Sequence, residues 1–199
     1  MIPSALILDY GEVLTRPQPR AAIEQMASIA GLPLDDFVSR YWRHRPAYDG
    51  GLDVADYWQR VVDGRELSPA RLEELIAADA SSWSDFREEV WAIAAAFRAR
   101  ENRTAMLSNG VPEIIGRIRS ARPLDRWFDV VVVSCEVGCC KPDPEIYRIC
   151  LEGLQVPAGQ ALFVDDRPEN LEAAAAGGLR TLHFRGDESV PELRRLLDL

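Results

Sequence analysis

Apolar and polar positions sort this chain into two kinds of territory. Residues 4–9 (SALILD) are a short apolar run ending on an acid. From about residue 17 to 99 the apolar positions recur only at helical spacing. They predict helices over 19–30, 34–45, 53–63, 69–79 and 86–99. The breaks between them carry stop and start signals: Gly31 and Pro33, then Asp49-Gly50-Gly51, then Ser68 as an N-cap before Pro69. From residue 103 the rhythm changes. Apolar strands at 103–108, 130–134, 161–166 and 180–184 alternate with helices at 112–121, 144–153, 168–177 and 188–198. Continuous apolar strands separated by helices predict a parallel sheet covered on both faces, and the run at 4–9 is expected to join it. The expected class is α/β: a Rossmann-like parallel sheet with helices on both faces and an inserted all-helical cap. Residues 1–15 and 100–199 would form the core and 16–99 the cap, with helix 86–99 leading back into the core.

In an open parallel sheet, ligands bind at the carboxyl ends of the strands. Those ends carry Asp9-Tyr10-Gly11-Glu12, Ser108-Asn109-Gly110, Cys139-Cys140-Lys141-Pro142-Asp143, and Asp165-Asp166 with Asn170 shortly after. Taken singly, each has a plain reading: Asp9 as a turn residue, Ser108-Asn109-Gly110 as a turn, Asp165-Asp166 as a helix cap, Lys141 as a surface lysine. Taken together, carboxylates at one edge repel each other unless a hard cation such as Mg²⁺ sits among them. With Lys141 and the Ser108 hydroxyl they could hold a phosphoryl group, which Asp9 could attack in line to form an aspartyl-phosphate.

Composition sharpens this picture in three ways. The 199 residues include 23 basic and 32 acidic side chains, a formal net charge of -9. That balance argues against a broad nucleic-acid grip. No stretch is long enough for a membrane span, and the N-terminus lacks a basic n-region, so a soluble cytoplasmic protein is expected. Of the 23 basic residues 22 are arginine, and Lys141 is the lone lysine. The exception asks whether a compact amine is needed there. Cys135, Cys139, Cys140 and Cys150 crowd within 16 residues, and His44 and His183 are remote, so reduced buried thiols are expected rather than disulfides or a zinc site. Nothing in the sequence specifies an oligomeric state.

Four segments now carry a resemblance. ALILDYGEVL, TAMLSNG, CCKPDPEIY and ALFVDDRPENLEAAAAGG are similar to the four ordered motifs of the haloacid dehalogenase superfamily. The KPDPEIY and VDDRPEN forms most resemble the sugar-phosphate phosphatase branch, including glucose-1-phosphate phosphatases, and the phosphatase domain of bifunctional epoxide hydrolases. The resemblance implies a Mg²⁺-dependent hydrolase of a small phosphorylated metabolite, with a sugar phosphate as one candidate. Asp9 would be nucleophile and metal ligand. Ser108 and Asn109 would bind the phosphoryl group, and Lys141 would pair with Asp9 and the phosphate. Asp166 would ligate Mg²⁺ with Asp165, supported by Asn170. Most phosphatases of the family carry a second Asp two residues after the nucleophile as acid/base. Here that position is Gly11, whose carbonyl could still ligate the metal. General acid–base help is worth about 10²–10⁴-fold, so Gly11 favours a slow enzyme, a good leaving group, or help from substrate or cap.

Specificity would sit in the helical segment. Trp42, Arg45 and Tyr48, with His44 and Trp58, flank the Asp49-Gly50-Gly51 turn and could line a pocket, and Arg16 could reach an anionic substrate group. Tryptophans at helical spacing are otherwise core, and His44 between two arginines is expected to be exposed with ordinary titration. Two further functions are open. One is 2-haloacid dehalogenation, disfavoured by Asp165-Asp166. The other is a catalytically weak phosphate- or partner-binding protein, supported only by Gly11.

Overall fold

The structure is a computed structural model and describes residues 2–199. Its strands are β1 (Ala5–Leu8), β2 (Arg103–Ser108), β3 (Val130–Val133), β4 (Ala161–Asp165) and β5 (Arg180–His183). They form one parallel sheet in the order β3-β2-β1-β4-β5. The helices are α1 (Arg20–Ala30), α2 (Leu34–Asp49), α3 (Val54–Val61), α4 (Pro69–Ser82), α5 (Glu88–Arg98), α6 (Pro112–Ala121), α7 (Ser134–Val137), α8 (Pro144–Leu154), α9 (Pro168–Ala176) and α10 (Val190–Leu197).

Side chains alternate across each strand, so a strand covered on both faces must be apolar throughout. β1 meets that condition, with every residue fully buried. Leu6 and Leu8 enter the larger core, with Trp91 and Phe97 of α5, Ile115 of α6 and Leu193 of α10. Ala5 and Ile7 enter the other, with Ile146 and Cys150 of α8 and Ala174 of α9. Trp91 anchors the larger core. It is fully buried, and its Nε1 donates to Leu14 O at 2.9 Å. Trp91→Ala is expected to cost about 3–5 kcal/mol, read as a lowered urea midpoint.

β1 lies at the centre, and register fixes what stands at its end. Leu8 pairs with Met106 on one side and Val164 on the other. Asp9 therefore stands level with Asp165, with Ser108 one step further along β2. The Asp9 N–H still donates to Val164 O at 2.9 Å, which holds Asp9 in line with the sheet.

Helices α1 to α4 are inserted between β1 and the return through α5 to β2. Their two linkers run side by side. Thr15 bridges Phe86 in antiparallel fashion, Arg16 N–H donates to Asp85 O at 2.8 Å, and Arg87 N–H donates to Leu14 O at 2.9 Å. Asp187, after β5, pairs with both Arg16 and Arg87.

Three local features depart from expectation. First, α2 runs to Asp49 instead of stopping at 45, with Pro46 inside it. An i,i+4 pair, Arg45 Nε to Asp49 Oδ1 at 2.8 Å, and the buried Tyr48 hold the last turn in place. Second, Ser134 does not end β3 but opens α7. Third, the chain after β1 forms a π-turn, Tyr10–Leu14, in which Glu12 takes φ 56°. A non-glycine residue in that region is strained. Thr15 Oγ1 accepts the Glu12 N–H, and the buried Arg87 guanidinium donates to the carbonyls of Glu12, Val13 and Thr15.

Candidate active site

The sheet's carboxyl edge faces the helical insertion across a cavity of about 370 Å³. Asp9, Gly11, Ser108, Asn109, Lys141, Asp166 and Asn170 all line it. At its floor the Lys141 ammonium lies 2.7 Å from Asp9 Oδ1 and 2.6 Å from Asp165 Oδ2. Its side chain is only 1% exposed and stands 5.5 Å from the centre of the Phe163 ring. Burial disfavours the Lys141 charge, but Asp9 and Asp165 more than offset that, so its pKa rises and it stays ionised.

Asp9 Oδ1 also accepts the Tyr10 N–H at 2.7 Å. Both partners fall on that oxygen, and neither falls on Oδ2. Asp165 is fully buried. Its Oδ1 accepts from Arg167 N–H at 2.9 Å and from Asn170 Nδ2 at 3.0 Å. Asn170 thus holds the Asp165 carboxylate in place.

Asp9, Asp165 and Asp166 each offer an oxygen, and these lie within 4.8 Å of one another. It is the single cluster of acidic, histidine or cysteine side chains among the described residues that could hold a metal ion. Burial pushes the Asp9 carboxyl upward, Lys141 pulls it back, and Asp165 and Asp166 push it up again. Burial pushes Asp166 up to about 6, with Asp165 and Glu12 adding to the shift. Three carboxylates against one ammonium leave a deficit of two positive charges, and the donors are all hard oxygens. That set fits a divalent cation such as Mg²⁺.

Asn109 departs from its expected part. Its Nδ2 donates to Lys141 O at 2.9 Å, and its Oδ1 accepts the Lys141 N–H at 2.7 Å. The side chain is spent on positioning the lysine loop, so any contact with a phosphoryl group must come from its main chain. Ser108 lines the cavity with its hydroxyl directed only to Asn109 O at 3.3 Å.

The insertion supplies the cavity roof, and here the expectations divide. Trp42 and Arg45 line the cavity, whereas Tyr48 does not. Tyr48 is buried, stacks on Tyr57 and donates to Glu113 Oε2 at 2.8 Å. Arg16 lies outside as well, in a second groove with Arg87, His183 and Arg185, where it pairs with Asp187. Trp58 is fully buried core. His44 is only half-exposed, and burial and neighbouring arginines lower its pKa. Of the cysteines, Cys150 alone is fully buried and the other three are half-buried. Burial raises the pKa of all four, Cys150 to about 12, which favours the thiol over the thiolate.

Two features were missed by sequence reasoning. Trp83 lines the cavity beside Gly11, where a Cβ would lie 3.5 Å from its ring. Arg45 is buried in a polar network: it donates to Asp49 and to Tyr41 Oη at 2.5 Å, and Tyr41 donates to Asp79 Oδ1 at 2.7 Å. Tyr41 at i−4 and Asp49 at i+4 from Arg45 is a spacing that could have signalled part of that network.

Comparison with known proteins agrees with the geometry. The haloacid dehalogenase-like hydrolase family matches residues 3–178. The phosphoserine phosphatase of Thermus thermophilus is 32% identical, covering 95% of this chain and 94% of its own. A Mycobacterium tuberculosis phosphatase is 26% identical over 89% of this chain and 85% of its own. Mouse acyl-CoA dehydrogenase family member 10 is 44% identical over half of this chain, which spans only 9% of that protein. A haloacid dehalogenase family enzyme of Bacteroides thetaiotaomicron, solved with magnesium and inorganic phosphate, shares the fold at TM-score 0.69 and 21% identity, covering 89% of this chain and 92% of its own. With the family model spanning residues 3–178 and a phosphatase 32% identical over nearly all of both chains, the chain belongs to the haloacid dehalogenase-like hydrolase family.

Proposed function

We propose that the protein is a Mg²⁺-dependent phosphatase of a small phosphorylated metabolite, acting through an aspartyl-phosphate on Asp9. One observation carries the reading: Lys141 bridges Asp9 and Asp165 at the floor of a cavity that Asp166 and Ser108 also face. Asp9, Asp165 and Asp166, with the Gly11 carbonyl, would hold the metal, which supplies positive charge to the phosphoryl oxygens when bound.

The chain's own residues do the rest. Tyr10 N–H and Lys141 fix Asp9 Oδ1, which aims Oδ2 at phosphorus. The Oδ2–P bond forms as the bond to the leaving oxygen breaks. Lys141 and the Ser108 hydroxyl stabilise charge on the transferring group, where positioning and electrostatics supply most of the catalysis. Water then attacks phosphorus, releasing phosphate and restoring Asp9. The insertion would act as the cap, with Trp42, Trp83 and Arg45 over the site.

The dehalogenase alternative is not favoured, since the full-length curated relatives above are phosphatases. The unpaired cysteines suit a reducing compartment such as the cytoplasm, and no helix among the described residues is long and apolar enough to cross a membrane. The test is phosphate release from acetyl phosphate and phosphate monoesters by chelator-treated protein. Added Mg²⁺ is expected to restore turnover. Turnover that a chelator leaves untouched would remove the metal from the proposal, and chloride release from a 2-chloroacid would reinstate the dehalogenase.

A further inference from the structure

The carboxylates lining the cavity are Asp9, Glu12, Asp49 and Asp166. Asp9 and Asp166 are assigned to the metal, Asp49 is paired with Arg45, and the position where most phosphatases of the family carry their acid is Gly11. At Gly11, two residues past Asp9, a side chain would project toward the Trp83 ring, 3.5 Å from its Cβ. An alkoxide is a strong base and leaves phosphorus poorly without a proton donor, whose help is worth about 10²–10⁴-fold. A phenol is far more acidic, with a pKa of about 10 as in tyrosine. Its anion can depart unprotonated.

The lining points the same way independently. Trp83, Met106, Ile114, Ile115 and Ile118 form the inner wall, and Trp42 stands at the mouth. Trp42 is 42% exposed, whereas nearly every other large apolar side chain among the described residues is covered. Its ring meets Trp83 edge-on, with centroids 6.4 Å apart and planes at 87°. The polar groups that the insertion contributes to the lining, Arg45 and Asp49, are already paired with each other, and Arg45 further with Tyr41. A sugar would press hydroxyls against indole and isoleucine without partners, which is costly. A flat apolar ring would instead pack on the two indoles.

We infer that the substrate is the phosphate ester of a phenol-type aromatic alcohol, its ring held by Trp42 and Trp83. The inference rests on the phosphatase reading above. Asp9 Oδ2 bonds to phosphorus as the P–O(aryl) bond breaks. The aryl oxygen keeps the electron pair, leaves as phenolate and takes its proton from solvent.

The test is kcat/KM with Mg²⁺ for phenyl phosphate, O-phosphoserine, glucose 6-phosphate and acetyl phosphate. Acetyl phosphate has a good but small leaving group, so it reports the chemistry without the apolar wall. Phenyl phosphate is expected to exceed the serine and glucose esters by about 10²-fold or more, the size of a missing general acid. Trp42→Ala should lower kcat/KM for phenyl phosphate about tenfold more than for acetyl phosphate, the scale of a lost aromatic contact. Gly11→Asp should raise the glucose ester relative to the phenyl ester. Serine or glucose esters that match phenyl phosphate in the wild type would overturn the inference, as would a Trp42→Ala that slows both probes equally. Turnover of acetyl phosphate without aryl preference sinks this inference alone, whereas turnover of none sinks the phosphatase reading with it.

Discussion

Asp9→Asn is expected to abolish phosphate release, by at least about 10³-fold in kcat, while the fold survives. The amide cannot form the covalent intermediate. It can still accept the Tyr10 N–H at Oδ1, so the π-turn after β1 keeps its anchor. Its stability follows from the sign of the Asp9 shift. Burial raises the Asp9 carboxyl pKa in the folded state, so the ionised form destabilises the fold increasingly as pH rises from the unfolded carboxyl value toward the raised one. At neutral pH and without metal, the asparagine variant escapes that penalty, and its Tm should equal or exceed wild type. Wild-type rates in Asp9→Asn would remove Asp9 as nucleophile. Lost activity with a collapsed Tm would point to a structural part instead.

Lys141→Arg keeps the charge and is expected to lose at least about 10²-fold in kcat, a typical cost for a misplaced electrostatic group. Nζ sits between two carboxylate oxygens at 2.7 and 2.6 Å, with Phe163 beside it. A planar guanidinium needs more room and a fork-shaped partner. To fit, it must push Asp9 or Asp165 aside. Lys141→Met is harsher for the fold. It leaves the buried carboxylates without their cation, which costs about 3–5 kcal/mol when one partner of a buried pair is removed, and urea titration reads it. Added Mg²⁺ should recover part of that loss. Near wild-type turnover in Lys141→Arg would make the 22-to-1 count an accident of composition.

The sheet was legible because its signal is local. Four-to-six-residue apolar runs such as ALIL at 5–8 read as strands buried on both faces, and each acidic or hydroxyl residue after a run falls at the same edge by topology alone. Ion pairs across that edge follow once the edge exists. The roof was less legible, because its contacts join distant segments. Arg45, Tyr41 and Asp79 meet only when α2 packs near α4, and Trp83 gives no local sign that it will face Gly11. Tyr48 and Trp42 look alike as aromatics on one helix. Six residues of helical phase turn Tyr48 toward Tyr57 and Glu113 and leave Trp42 at the cavity mouth. Asn109 shows another gap: its motif position is readable, but its side chain's use as a clamp on the Lys141 main chain is not.

The paired linkers have a consequence for how such a molecule can change. Thr15 and Phe86 lie side by side, so for the sheet everything between them is a loop whose ends are already joined. The entropy of closing a loop rises only with the logarithm of its length, and here the ribbon and Asp187 have done the closing. Closure entropy therefore adds little to the cost of lengthening or shortening α1 to α4, and what such a change costs the sheet is set by the contacts it disturbs, such as Tyr48 to Glu113 and Tyr10 to Trp83. Selection can therefore redraw the roof, and under the proposal the choice of leaving group with it, while the proposed catalytic floor stays as it is.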